Sequence, residues 1–349
     1  RLTLSMGTYP LVSLKEAREK LFYAKKSIQE GIDPGLQKKS VKEAERAKNE
    51  NSFEVVAREW YEGKKIGRNE RYTSRVWGRV EKEIFPFLAE RTISEIKALE
   101  LLEVLRKVES RGTVETAHRC LQYCGQIFRY AIATGRASHD ISTDLRGALK
   151  PVVHTHFASI TDRKAIGSLL AAIDTYNGNF IVKSALQLAP YVFVRPGELR
   201  HAEWSEIDQG EAEWRIPADK MKMKQIHIVP LSRQAQDILT ELQPYTGLGR
   251  YVFTSMRSKI CPISDVTLLA GLRRLGYSKD EMTVHGFRSI ASTMLNELGY
   301  NRDWIERQLA HGERNSVRAA YNYAEYLPER KKMMQEWADY LDKLKQKVF

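Results

Sequence analysis

Apolar positions recur at helical intervals through most of this chain, and the rhythm changes character once, near Thr161. Leu14, Ala17, Leu21, Ala24 and Ile28 share one helical face. Gly31 ends that pattern, and Asp33-Pro34-Gly35 supplies a turn. Residues 36–50 are charged, carry few apolar positions and read as a linker. Ser52 then stands as an N-cap before Phe53, Val56, Ala57, Trp60 and Tyr61. Ile84-Phe85-Pro86-Phe87 breaks the next helix, and Leu99, Leu102, Leu105 and Val108 form a further stripe. Thr113 opens a long helix with Ala117, Leu121, Cys124, Phe128 and Ala131 inward and Gly135 as its stop. Residues 51–135 are therefore expected to form a small helical domain. Residues 136–160 have little periodicity, contain Pro151 and read as a connection.

Beyond Thr161 helices alternate with short β-rich runs. Ile166, Leu169, Leu170 and Ile173 mark one helix, and Ile181, Ala185 and Leu188 another. Glu213–Ala218 and Ile226–Leu231 flank a Lys/Met-rich turn and predict a hairpin. Further helices are expected around 234–242, 266–275, 287–298 and 302–310. A last one follows Pro328, with Met333, Trp337, Tyr340, Leu341 and Leu344 on one face. That face has two readings: packing on its own domain, or docking on a neighbouring protomer.

Composition narrows the functional classes. The chain has 349 residues, with 56 Lys+Arg against 44 Asp+Glu and a formal charge of +12. There is no apolar run of about 18 residues and no apolar leader, so a soluble, intracellular protein without a membrane partner is expected. Three cysteines cannot build a disulfide framework, and Cys120 and Cys124, four apart in a helical pattern, lack zinc-ligand spacing. The basic excess is similar in residues 1–50, 51–150 and 151–349, which suits a chain facing one polyanion along its whole length. Neither GxxxxGK[ST] nor GxGxxG occurs, so no nucleotide cofactor is called for.

Four stretches could carry chemistry. In Val194-Arg195-Pro196-Gly197-Glu198, Pro196 suits the first position of a helix and leaves Arg195 at its N-terminal mouth, where an anion is favoured. A pairing of Arg195 with Glu198 is the plainer reading. Lys220-Met221-Lys222-Met223-Lys224 caps the expected hairpin, and a lysine there can reach a phosphate or simply be solvated. His285-Gly286-Phe287-Arg288 places an imidazole and a guanidinium on one helical face. His311 in Leu309-Ala310-His311-Gly312 precedes Tyr321 by ten residues.

In this order and at these separations the residues resemble the tyrosine recombinase (phage integrase) family, and within it the satellite-phage and genomic-island integrases. The resemblance rests on FEVVAREWYEGKK, QIFRYAIATGR, RPGELRHAEWSEID, WRIPADKMKMKQIHIVPLSRQA, HGFRSIASTMLNELGY and IERQLAHGERNSVRAAYNYAEYLPER. MGTYPLVSLKEAREK is similar to the end of that group's arm-site domain, which implies that residues 1–50 are the remnant of such a domain plus a linker. The resemblance further implies a mainly α multidomain chain. A helical, SAM-like core-binding domain would occupy residues 51–135, and a linker residues 136–160. An α+β catalytic domain of the DNA breaking-rejoining fold would occupy residues 161–349, the two closing as a C-shaped clamp on duplex DNA.

The same resemblance implies roles. Tyr321 attacks the scissile phosphate to give a 3′-phosphotyrosyl link; Arg195 and Arg288 hold the non-bridging oxygens; His285 assists proton transfer; His311 bonds the phosphate; and Lys222 protonates the 5′-oxygen. Lys220 and Lys224 stay open as alternatives to Lys222. Tyr323 stands where relatives often carry arginine and is the alternative nucleophile, with Tyr326 behind it. No metal or cofactor is implied, because a phosphotyrosyl bond conserves the energy of the broken one. The implied partners are attachment-site DNA, in a tRNA gene by analogy, a homotetramer on paired sites, an excisionase and a host DNA-bending protein, in the bacterial cytoplasm at the nucleoid. A topoisomerase-like nicking-closing enzyme and a non-catalytic DNA-binding regulator are the competing readings.

Overall fold

A computed structural model describes residues 5, 7–31, 33–36, 39, 50–67, 69–153, 158–311 and 326–347. The chain divides into two units, Arg1–His154 and Thr155–Phe349.

The first unit opens with helix α1 (Leu14–Gln29), started by a capping box between Ser13 and Glu16. It has the predicted amphipathic spacing but contributes no buried residue. The core of the unit is built by α2 (Phe53–Lys65), α3 (Glu70–Glu83), α4 (Phe85–Leu88), α5 (Ala98–Ser110) and α6 (Val114–Ala133). Ser52 caps α2 through the Val55 N–H, as its position predicts. In α5 the buried face is Leu101, Val104, Leu105 and Val108, whereas Leu99 is exposed, so the expected stripe is turned by part of a revolution. The Leu-rich segment ALELLEVL offers two apolar faces, and the contact with α6 selects one.

Past Gly135 the chain stays with this core. Asp140 is buried and pairs with Arg129 at 2.5 Å, Arg136 pairs with Glu59, and Leu145 and Leu149 join the apolar cluster. A stretch without periodicity can still pack, because turns and short 3-10 segments bury single residues rather than faces.

In the second unit, α7 (Arg163–Asp174) and α8 (Phe180–Val192) lie against the final helix, α14 (Leu327–Gln346). Between them in sequence come α9 (Pro196–Arg200), strands β1 (Ile207–Asp208), β2 (Glu213–Ile216) and β3 (His227–Pro230), and α10 (Arg233–Thr246). β4 (Thr254–Ser255) and β5 (Ser258–Pro262) then lead to α11 (Asp265–Arg274), α12 (Gly286–Glu297) and α13 (Arg302–Gln308). The sheet order is β1-β2-β3, antiparallel throughout, with Glu213 opposite Pro230 and Ile216 opposite His227. This is the expected hairpin, with the lysine turn at its tip. The pair β4-β5 has no alternating pattern and was not expected.

Helix α14 buries Met333, Met334, Trp337, Ala338, Leu341 and Leu344 in the core of its own unit. Trp337 donates its indole N–H to the Pro190 carbonyl at 2.9 Å and meets Phe193 edge to face. Of the two readings for this face, the structure shows packing within the unit.

Candidate active site

The residues singled out in the sequence come from four separated segments, and residues of three of them meet around one buried guanidinium. α8 ends at Phe193, whose φ of 34° turns the chain left-handed and sends Val194-Arg195 in a new direction. Arg195 is the N-cap of α9, with Pro196 at the first helical position. Its backbone N–H and Nη1 both bind the Glu198 carboxylate, at 2.8 and 2.7 Å, and its Nη2 donates to the Ala310 carbonyl at 3.0 Å. Of the two sequence readings of Arg195, the pairing with Glu198 is present, and the residue stands at the helix mouth as expected. The pairing with Glu198 fixes the side chain, and a quarter of it stays accessible.

Arg288 lies one turn into α12 and is only 4% exposed. Nη1 donates to the Phe193 carbonyl at 2.8 Å, and Nη2 to the Leu309 carbonyl at 2.6 Å. Burial, and then the neighbouring Arg195 charge, pull its pKa down to about 10, with Glu198 and Glu306 opposing. His285 stands at the N-cap position of α12, with no capping bond from its side chain, and is half-buried. Burial lowers its pKa first, followed by the charges of Arg288, Arg195 and His311. It is therefore neutral near pH 7 and can accept a proton.

His311 follows α13 and is largely exposed. Its Nδ1 is 2.9 Å from Glu306 Oε2, and its Nε2 is 3.3 Å from Arg288 Nη2. Arginine can only donate, so in neutral His311 the Nε2 accepts and the Nδ1–H points to Glu306. Ala310, just before it, has φ of 48°, a second left-handed residue other than glycine beside the site. Arg195, His285, Arg288 and His311 are in this way brought together.

The lysines of the hairpin tip separate cleanly. Lys220 is tied to the His201 carbonyl at 3.0 Å, to Glu203 at 2.6 Å and to Glu206. Lys224 donates to the Asp219 carbonyl of its own turn at 3.2 Å. Lys222 is exposed and makes no hydrogen bond or ion pair among the described residues. Tyr321 and Tyr323 lie outside the described residues; Tyr326 is described, half-buried with φ of 48° at the start of α14.

Two kinds of partner were missed by sequence reasoning, a carboxylate and three backbone carbonyls. Glu306 reaches His311 across the end of a helix, a separation of five that follows no helical face. The carbonyls of Phe193, Leu309 and Ala310 are backbone groups and leave no residue-type signal. The arrangement as a whole is a cluster of donors suited to an oxyanion such as a phosphodiester, with a neutral imidazole alongside.

Comparison with known proteins gives the same direction. Residues 160–327 match a family model described as the phage integrase family, residues 53–148 match the phage integrase central domain, and residues 1–41 match an arm DNA-binding domain. The integrase of Shigella phage Sf6 is 37% identical over 340 residues, covering 97% of this chain and 86% of that protein. The prophage integrase IntS of Escherichia coli is likewise 37% identical, with the same coverage. The integrase of Enterobacteria phage P4 is 38% identical over 97% of this chain and 80% of its own length. Among solved structures, a lambda integrase tetramer bound to a Holliday junction aligns with a TM-score of 0.62 at 17% identity, over 87% of this chain and 86% of that one. A lambda integrase dimer (residues 75–356) on a COC′ core site gives 0.60 at 19% identity, over 74% and 94%. At those identities the likeness is one of fold.

Proposed function

Since this chain belongs to the phage integrase family, as a tyrosine site-specific recombinase of the prophage and satellite-phage type, we propose that the cluster around Arg288 is its strand-transfer centre. Arg195 and Arg288 hold the two non-bridging oxygens of a DNA phosphate. Tyr321 is the nucleophile: its Oη forms a bond to phosphorus as the bond from phosphorus to the 5′-oxygen breaks, leaving a 3′-phosphotyrosyl link. The phenolic proton passes to neutral His285, and Lys222 delivers one to the departing 5′-oxygen. His311, held at Nδ1 by Glu306, turns its Nε2 away from Arg288 and, with both ring nitrogens carrying a proton, donates from Nε2 to the phosphate as charge builds on it. A second 5′-hydroxyl then reverses the step, so no external energy source is consumed.

The observation that carries this reading is the convergence on Arg288. Two arginines and two histidines, 116 positions apart from first to last, converge around one guanidinium that is itself held by two backbone carbonyls. A guanidinium buried to that degree and fixed on one side is preorganised for an anion on the other. Lys222 as the acid is supported by the engagement of Lys220 elsewhere.

The substrate is double-stranded attachment-site DNA, and the acting assembly is a homotetramer on paired sites, as the lambda integrase complexes suggest. Residues 1–50 serve arm sites, residues 51–135 the core site, and residues 161–349 the chemistry. Integration into a tRNA gene, an excisionase and a host bending protein complete the proposal, with the protein acting in the cytoplasm at the nucleoid. Among the described residues no helix is long and apolar enough to cross a membrane.

A duplex carrying a nick next to the scissile phosphate tests the reading. The expected result is a covalent protein–DNA adduct that maps to Tyr321, disappears in Tyr321→Phe, and accompanies recombinant joints between two sites. Adducts without joints would indicate nicking-closing activity, and binding without adducts a regulator.

A further inference from the structure

Arg330 is a fully buried arginine that the chemistry above does not use. It is 0% exposed, three residues into α14, in a core otherwise made of Met, Trp and Leu side chains. Its Nε and Nη2 both donate to Gln308 Oε1, at 3.1 and 2.6 Å, and Nη2 also donates to the Ile228 carbonyl of β3 at 2.5 Å. Gln308, the last residue of α13, is itself 0% exposed. Burial pulls the Arg330 pKa down to about 10, with Arg307 adding to the effect and Glu213 opposing it.

A charge in such a place is costly, and an apolar side chain of similar volume would pack there without that cost. What the arginine supplies instead is a junction. Gln308 is followed directly by Leu309 and Ala310, whose carbonyls hold Arg288 and Arg195, and then by His311. Ile228 lies on the strand that returns from the Lys222 turn. Arg330 itself begins the chain beyond the stretch that carries Tyr321. One guanidinium therefore joins the strand behind the proposed acid, the segment holding both phosphate-binding arginines, and the far end of the segment holding the proposed nucleophile.

We propose that Arg330 is a positioning residue for strand cleavage: its bonds to Gln308 and Ile228 fix the backbone at Leu309–His311 and at the start of α14, the described residues between which Tyr321 lies in sequence. The proposal rests on the assignment of the nucleophile to that stretch. Misplacing a reacting group by about 1 Å can cost on the order of 100-fold in rate, so loss of the junction is read in the rate of cleavage rather than in the affinity for DNA.

The test compares Arg330→Met, the double variant Arg330→Met with Gln308→Leu, and Arg330→Lys on a nicked core-site duplex. Single-turnover cleavage at saturating DNA, the Kd for the same duplex, and the urea midpoint are measured. Arg330→Met is expected to cleave about 30-fold more slowly and to unfold at lower urea, because Gln308 is left buried and unpaired. In the double variant the Gln308 amide is gone and only the Ile228 carbonyl loses its donor, so the urea midpoint recovers in part while cleavage stays at least about 10-fold slow and Kd changes less than about twofold. Arg330→Lys keeps the charge but cannot span both acceptors, and it is expected to show the same split between rate and affinity.

If the double variant regains wild-type cleavage along with stability, or if Arg330→Lys cleaves at the wild-type rate, Arg330 only stabilises the fold and the proposal is overturned. Should the methionine variants not fold, the lysine variant decides. Mapping the wild-type adduct separates the two assignments: an adduct at Tyr323 removes Tyr321 as nucleophile but leaves this role intact, and an adduct outside residues 309–329 overturns both.

Discussion

The Arg288 guanidinium donates to the carbonyl of Phe193, and Phe193 holds that carbonyl in place by adopting a left-handed backbone that only glycine takes freely. A residue of this size in that conformation costs about 1–2 kcal/mol, offset by burial of its ring against Trp337. Arg288→Lys cannot serve Phe193 and Leu309 together and leaves a buried carbonyl unpaired. We expect a stability loss of about 1–3 kcal/mol by urea titration and a fall in single-turnover cleavage of about 10²–10³-fold, with core-site Kd much less affected.

The three hairpin lysines give a second prediction. Lys222→Ala should slow cleavage about 10²–10³-fold on ordinary DNA, and a substrate with sulfur at the 5′-bridging position should restore the rate, because a thiolate leaves without a proton. Lys220→Ala removes a partly buried cation from Glu203 and Glu206. It should lower the urea midpoint, and the sulfur substrate should not correct whatever rate loss results.

His227 predicts an acid-labile fold. It is buried on β3, and desolvation followed by the charges of Arg330, Arg307 and Arg288 pulls its pKa down to about 3, with a hydrogen bond to the Gln308 backbone opposing. As pH falls below about 6.5 the unfolded chain takes up this proton and the folded chain does not. Stability is therefore intact above about pH 6.5 and is lost progressively down to about pH 3. The full loss is on the order of 5 kcal/mol. His227→Gln should remove this component, so the difference between the two urea-midpoint profiles isolates it from the carboxylates titrating in the same range.

Gly125 predicts how firmly the end of the first unit is held. A Cβ there would lie 2.4 Å from Ser142 Oγ and 3.3 Å from Ser142 Cβ, and Ser142 is fixed by Asp140 at 2.6 Å. Gly125→Ala should cost about 1–3 kcal/mol and raise hydrogen exchange in residues 136–149 more than in α2.

Much of this could be read from residue types, and the remainder failed for identifiable reasons. Stripes such as Ile166-Leu169-Leu170-Ile173 locate helices well because one face must be buried. They fail where leucine is abundant, as at Leu99, since two faces then compete and a neighbour decides. Arg195, His285, Arg288 and His311 stand out in the sequence because few residue types suit an oxyanion, and the structure brings them together. Their backbone acceptors were not, since any residue supplies a carbonyl. Arg330 and Gln308 escaped notice for the opposite reason: an arginine in an amphipathic helix is ordinarily read as solvated, and only packing reveals it as interior.

The placement of α14 has a kinetic meaning. The second unit closes its core by packing its last helix on α7 and α8, its first two, so the contacts that complete it are among the most distant in its sequence. Loop-closure entropy is spent before those contacts are gained, which slows folding. Until α14 docks, the apolar sides of α7 and α8, including Ile173 and Leu188, lack part of their cover. A newly made chain should therefore pass through a long-lived, collapsed species without recombinase activity, and a chaperone that shields apolar surface should raise the yield of active protein.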